Sequence, residues 1–147
     1  MSTTKQHSSF QIKTIQLKKF DFEQAGKLKK KIGINLAQGI GATAKKESEN
    51  QYFIQLNVDL SFMQGNIKIF YIQSVIVGII EVSDNFDESL LNNMVAIMYS
   101  YLRPMVAQMT VMAKLPPLDL PPVSFEEFEV KIVNDKQSST ADSNKDD

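Results

Sequence analysis

The sequence predicts an α+β fold: a four-stranded antiparallel sheet packed with one long helix and a short C-terminal helix. Three observations point to it. Apolar residues between positions 10 and 82 recur at a period of two, in four runs broken by polar or glycine-containing turns. From Leu91 onward the spacing changes to three and four, the period of a helix face. Runs of strands followed by helices segregate into separate layers instead of alternating along a parallel sheet. The chain has 147 residues, 43% hydrophobic and 22% charged, which suits one domain with a substantial core.

The first strand is FQIKTIQLKKFDFE. Its apolar pairs, Phe10/Ile12, Ile15/Leu17 and Phe20/Phe22, slip phase twice, so a long strand with a bulge or bend is expected. Ile32, Ile34 and Leu36 alternate in a second strand that Gly33, Gly39 and Gly41 weaken or kink. The polar run from Lys45 to Asn50 reads as a turn. The third strand has the plainest alternation, with Tyr52, Ile54, Leu56, Val58, Leu60 and Phe62 on one face and Gln55, Asn57, Asp59 and Ser61 on the other. Gln64-Gly65-Asn66 is a hairpin turn. The fourth strand, about Ile67 to Val82, is apolar on both faces, which requires both to be covered.

Leu91, Met94, Met98, Leu102, Met105, Met109 and Met112 line one face of a helix from about Glu88 to Ala113, with Pro104 inside it to bend it. The stretch LPPLDLPPV, Leu115 to Val123, must be extended because its four prolines forbid helix. Ser124 opens the capping box S-F-E-E, which predicts a short helix with Phe125, Phe128 and Ile132 on one side and Glu126, Glu127 and Glu129 favouring its N-terminus. The domain therefore spans 10–133, between a polar arm at 1–9 and a disordered acidic tail at 134–147.

Composition narrows the function. With no cysteine and one histidine, His7, thiolate metal sites, cysteine nucleophiles and histidine triads are excluded, and no phosphate-binding or nucleophile-elbow motif occurs. Such a chain binds or scaffolds; it is not expected to be an enzyme or to need a cofactor or metal. Residues 1–46 hold ten lysines against Asp21 and Glu23, while the rest of the chain is acidic. The cluster Lys27, Lys29, Lys30, Lys31 has neither arginine nor interleaved aromatics, so it reads first as a solvated loop and only second as a nucleic-acid site. The start of the chain has no apolar signal region, and the most apolar stretch, Ile69 to Ile80, is too short for a bilayer, so a cytoplasmic protein without membrane insertion is expected. Five of the seven methionines lie on the long helix, where they pack a core or subunit interface or form a promiscuous binding surface. The extended apolar loop leading to Phe125 and Phe128 could wall a groove for apolar peptides.

Three segments carry a family resemblance: FQIKTIQLKKFDFE, IMYSYLRPMVAQM with Tyr101 and Arg103, and above all LPPLDLPPVSFEEF with Pro116, Leu118, Leu120, Pro122, Val123 and Phe125. Together they resemble the SecB family of protein-export chaperones over residues 10 to about 130. The resemblance implies an ATP-independent holdase that binds unfolded or precursor polypeptides, assembles as a homotetramer (a dimer of dimers) and can deliver clients to the SecA motor. Carried over by position, the client groove involves Ile32, Ile34, Leu36, Leu115, Leu118, Leu120, Phe125 and Phe128. The SecA contact would use Asp21 and Glu23, although Lys19 and Gln73 stand where the family has acids. Other members of the family guard antitoxins of toxin–antitoxin pairs, a second role the resemblance allows. In the long helix, Ser100 holds the place of the family's proline, and Pro104 comes one turn later. Two readings of other classes stay open: a hot-dog-like thioesterase using Asp87 and Glu88, and a nucleic-acid binder using the lysines.

Overall fold

The structure is a computed structural model that describes residues 10–29, 31–115 and 120–133. The arm 1–9, the tail 134–147, Lys30 and Leu118 lie outside the described residues. Four long strands are built from the alternating segments: β1 (Phe10–Gln24), β2 (Asn35–Ser48), β3 (Gln51–Gln64) and β4 (Ile67–Val82). A short 3-10 turn, Glu88–Leu90, leads into helix α1 (Leu91–Met112), and a final strand β5 is Lys131–Val133. The sheet order is β1-β4-β3-β2-β5. The four long strands pair antiparallel, and β5 runs parallel to β2.

The two phase slips in β1 are real irregularities. Its register against β4 shifts between Ile12 and Thr14 and again between Leu17 and Lys19. Each inserted residue restores the apolar set to one face, so Phe10, Ile15, Phe20 and Phe22 all turn toward the core. The β3–β4 hairpin turns at Gly65, whose φ of 63° is left-handed and costs a glycine little.

One face of β3 and β4 is the core. Tyr52, Ile54, Leu56, Val58, Leu60 and Phe62 meet Ile72, Ile76, Ile80 and Val82, and α1 closes over them with Leu91, Met94, Val95, Met98, Tyr99, Leu102 and Val106. The helix comes closest at Gly78, where an added Cβ would stand 2.8 Å from the Met94 methyl and 3.5 Å from the Met98 sulfur. The opposite face of β4, with Val75, Val77 and Ile79, is only half-buried; within the subunit, the expectation that both faces are covered is met on one side alone.

Helix α1 runs through Pro104 without interruption. It ends in a paired hydrogen-bond closure, Lys114 N–H to the Val111 carbonyl and Leu115 N–H to the Thr110 carbonyl. Lys114 takes the left-handed conformation (φ 62°) usual for glycine at that position. This closure turns the chain back along the helix.

Three expectations are corrected. The second strand starts at Asn35, so Ile32 lies in a turn and Ile34 just before the strand. Lys45 to Ser48 continue β2, and the turn is Glu49–Asn50 alone. The sheet has five strands, and the short C-terminal helix does not form. Glu126 and Glu127 make a turn closed by Phe128 N–H to the Phe125 carbonyl (3.2 Å), and the chain then joins β2 as β5. The physical reason is competition. Asn92 on α1 takes the Phe125 and Glu126 carbonyls that a first helical turn would use. A helix this short nucleates poorly, whereas Lys131-Ile132-Val133 finds an open strand edge.

Candidate functional site

The segment from Leu120 to Glu126 lies along α1 because polar side chains of the helix hold its carbonyls. Arg103 Nε donates to the Leu120 carbonyl (3.1 Å), the Tyr99 hydroxyl to that of Pro121 (3.4 Å), and Asn92 Nδ2 to those of Phe125 (2.8 Å) and Glu126 (3.2 Å). Residues 92, 99 and 103 share one stripe of the helix. They fix the segment antiparallel to it, without calling on the donors its prolines lack. From the sheet, Gln38 Nε2 on β2 donates to the Tyr99 hydroxyl (2.9 Å). Burial lifts the Tyr99 phenol above its ordinary range against the opposing pull of Gln38 and of Arg103, so it stays neutral and can both accept and donate.

The result is a strip between β2 and α1, bridged at its middle by Gln38, Tyr99 and Pro121. Tyr52 donates to Glu88 (2.8 Å), which sets the start of the helix beside the start of β3 and the end of β2. Ile34 and Leu36, at the start of β2, form one end of the strip and are half-buried, as is Leu115 just past the helix; Ile32 is 49% exposed. Phe125 and Phe128 lie toward the other end. Their rings meet edge to face at 5.3 Å, and Phe125 also meets Tyr99 at 5.5 Å. Phe128 is half-buried, but Leu120 and Phe125 are 1% and 5% exposed. These two are floor, packed within the subunit, where the resemblance implied contact residues.

Along the strip β2 also offers backbone. Among the described residues its outer edge is paired only by β5, over Thr43–Lys45, while Asn35 to Ala42 are paired on the β3 side alone. An extended peptide can add to such an edge.

Asp21 and Glu23 lie on the opposite sheet face, exposed, at the β1 edge. Asp21 pairs across to Gln73 and Gln73 to Asp59; Glu23 pairs to Tyr71. The row thus holds a third acid, Asp59, that the analysis of β1 alone missed, although the alternation of β3 puts it on this face. Lys19 Nζ stands 3.5 Å from Asp21 Oδ2, so part of the acidic charge is neutralised in place.

Sequence reasoning also missed Gln38, Tyr99, Asn92 and Gln64. Gln64 stands at an inward position of β3, two residues after Phe62, and that parity is the signal that a polar group enters the core side. It accepts from Lys29 N–H (2.9 Å) and donates to the Lys29 (2.7 Å) and Ile32 (2.8 Å) carbonyls. The acids of the thioesterase alternative are engaged locally. Asp87 accepts from the Ser89 N–H, a bond that holds its carboxyl below the usual range, and Glu88 accepts from Tyr52. Among the described residues no group of three or more acids and histidines could hold a metal, and no helix is long and apolar enough to cross a membrane.

The family model described as "Preprotein translocase subunit SecB" matches residues 3–134. The fold is similar to the Mycobacterium tuberculosis Rv1957 SecB-like chaperone, solved in complex with a ChAD peptide from the Rv1956 HigA1 antitoxin. The TM-score is 0.63 at 15% identity, covering 78% of this chain and 91% of that one. A protein of unknown function from Streptococcus agalactiae aligns with a TM-score of 0.46 at 12% identity, over 77% of this chain and 97% of that one. Among curated protein sequences, none matches.

Proposed function

The chain belongs to the SecB family, and from that premise we propose that it is an ATP-independent holdase chaperone, not an enzyme, that holds unfolded polypeptides in the strip between β2 and α1. The observation that carries the reading is the coincidence of apolar side chains with open backbone. Ile32, Ile34, Leu36, Leu115 and Phe128 supply accessible or half-buried apolar area, and among the described residues Asn35 to Ala42 of β2 leave one strand edge unpaired. Leu120 and Phe125 act beneath this surface as the floor. A site made of apolar area and strand edge accepts many sequences, as a holdase requires.

The assembly is a homotetramer. Ile12 and Leu17 on the edge strand β1 are 39% and 40% exposed. Leu17 and Phe20 line one apolar surface depression together with Met105, Met109 and Met112. Both features suit burial against further copies of the chain. The protein works in the cytoplasm in protein export, with SecA docking on Asp21, Glu23 and Asp59. A toxin–antitoxin role is the second reading. It is favoured by Lys19 beside Asp21 and by Gln73 between the acids, which weaken the docking row; the structurally similar mycobacterial chaperone is bound to an antitoxin peptide.

Light scattering of an unfolding client tests the holdase reading. The wild-type protein suppresses aggregation without ATP, and Leu36→Ser with Phe128→Ser weakens suppression while circular dichroism stays unchanged. A folded double variant with full suppression would place the clients elsewhere.

A further inference from the structure

The described residues of the β1–β2 loop are anchored to the body of the subunit and carry charge toward one end of the strip. The Ala25 and Gly26 N–H groups both donate to the Ile69 carbonyl (2.8 and 3.0 Å). Leu28 packs against the core. The Gln64 amide, itself only 5% exposed, then holds the backbone at Lys29 and Ile32 through three hydrogen bonds. Between these anchors Lys27, Lys29 and Lys31 are exposed. Among the described residues none of the three has an ion-pair partner; the ion pairs join Lys13 to Glu81, Lys19 to Asp21 and Lys45 to Glu47. The loop feeds directly into Ile32, Ile34 and the unpaired edge that starts at Asn35. A lysine side chain reaches roughly 6 Å, and four extended residues span about 13 Å. Lys31 therefore stands within reach of a peptide that runs past Asn35, and Gln64, next to the Met63 partner of Asn35, holds Lys29 at the same end of the edge.

We infer that the lysine loop selects among clients, favouring segments in which an apolar run is flanked by aspartate or glutamate. The inference rests on the strip being the client site. The apolar run occupies Ile32, Ile34, Leu36 and the β2 edge, while the flanking carboxylates meet Lys27, Lys29 and Lys31 in solvent. Anchoring by Gln64 matters because a loop already held in place loses little conformational freedom when it pairs with the client. Exposed pairs are individually weak and screened by salt, so the preference is modest and depends on ionic strength.

Three peptides with one apolar core and flanks of aspartate, serine or lysine test this by fluorescence anisotropy on the full-length assembly. The aspartate-flanked peptide binds roughly tenfold tighter than the lysine-flanked one at low salt, with the serine peptide between and the spread collapsing at high salt. Lys27→Ser with Lys29→Ser and Lys31→Ser abolishes the spread and leaves the serine peptide unchanged. Lys27→Glu with Lys29→Glu and Lys31→Glu reverses its order. Equal affinities for the three peptides, or a spread that survives removal of the lysines, would overturn the inference while leaving the holdase reading intact. Lysine-dependent binding of a DNA oligonucleotide with no preference among the peptides would also overturn it. Failure of all three peptides to bind would overturn both.

Discussion

The two halves of α1 carry the same kind of side chain and meet different surroundings. Met94 and Met98 in the first half are fully buried against β4, whereas Met105 and Met109 in the second half are half-buried and Met112 is 72% exposed. The stripe is continuous in sequence, but the subunit covers only its first part. What differs is the sheet beneath: Gly78 and the close-packed faces of β3 and β4 receive the first half. The second half overlies the β1 side, where Leu17 and Phe20 leave an apolar depression. One amphipathic pattern therefore has two settings, a core within the chain and an open apolar surface that the proposed tetramer would cover.

The largest effect expected from this comparison separates the halves. Met98→Ala creates a cavity in the closed half and lowers the unfolding free energy by about 3 kcal/mol. Met112→Asp, in the open half, leaves the fold intact and shifts the assembly toward smaller species. Denaturant titration and multi-angle light scattering read the two outcomes, and a Met112→Asp tetramer unchanged in size would break the comparison. A smaller effect belongs to the first half alone. Burial, reinforced by the hydrogen bond and charge of Glu88, pushes the Tyr52 phenol up to about 12. The folded state favours the neutral phenol. The stability this contributes is complete below the ordinary tyrosine pKa of about 10 and is lost as pH rises through about 12. Tyr52→Phe removes that component, so the stability difference between wild type and variant should shrink through the alkaline range. Parallel decline of the two proteins in alkaline denaturant titrations would show that Tyr52 does not hold the helix start.

Much of this architecture was legible in the sequence. Strict alternation in β3, the doubled phase slip in β1 and the bounds of β4 each reflect a face that must be apolar, and the structure keeps all three. The C-terminal helix failed because a capping box is a local signal. The Asn92 side chain and the open β2 edge are supplied by distant parts of the chain, and they outweigh it. The proposed site was legible in composition but not in exposure. Leu120 and Phe128 look alike in sequence, yet one is floor and the other half-open. The difference is made by Arg103, Tyr99 and Asn92, which pull the backbone from Leu120 to Glu126 onto the helix. Gln64 escaped notice because a single inward amide gains its meaning only from the loop it binds.

The central claim is that clients lie in the strip beside β2 and not on the outer sheet face. A photoreactive residue placed at position 36 or at position 71 tests it directly. Leu36 faces the strip, and Tyr71 stands on the opposite side of the sheet next to Glu23. Irradiation in the presence of an unfolded client should cross-link it at position 36 and leave position 71 unlabelled. Strong cross-linking at position 71 with none at position 36 would contradict the account.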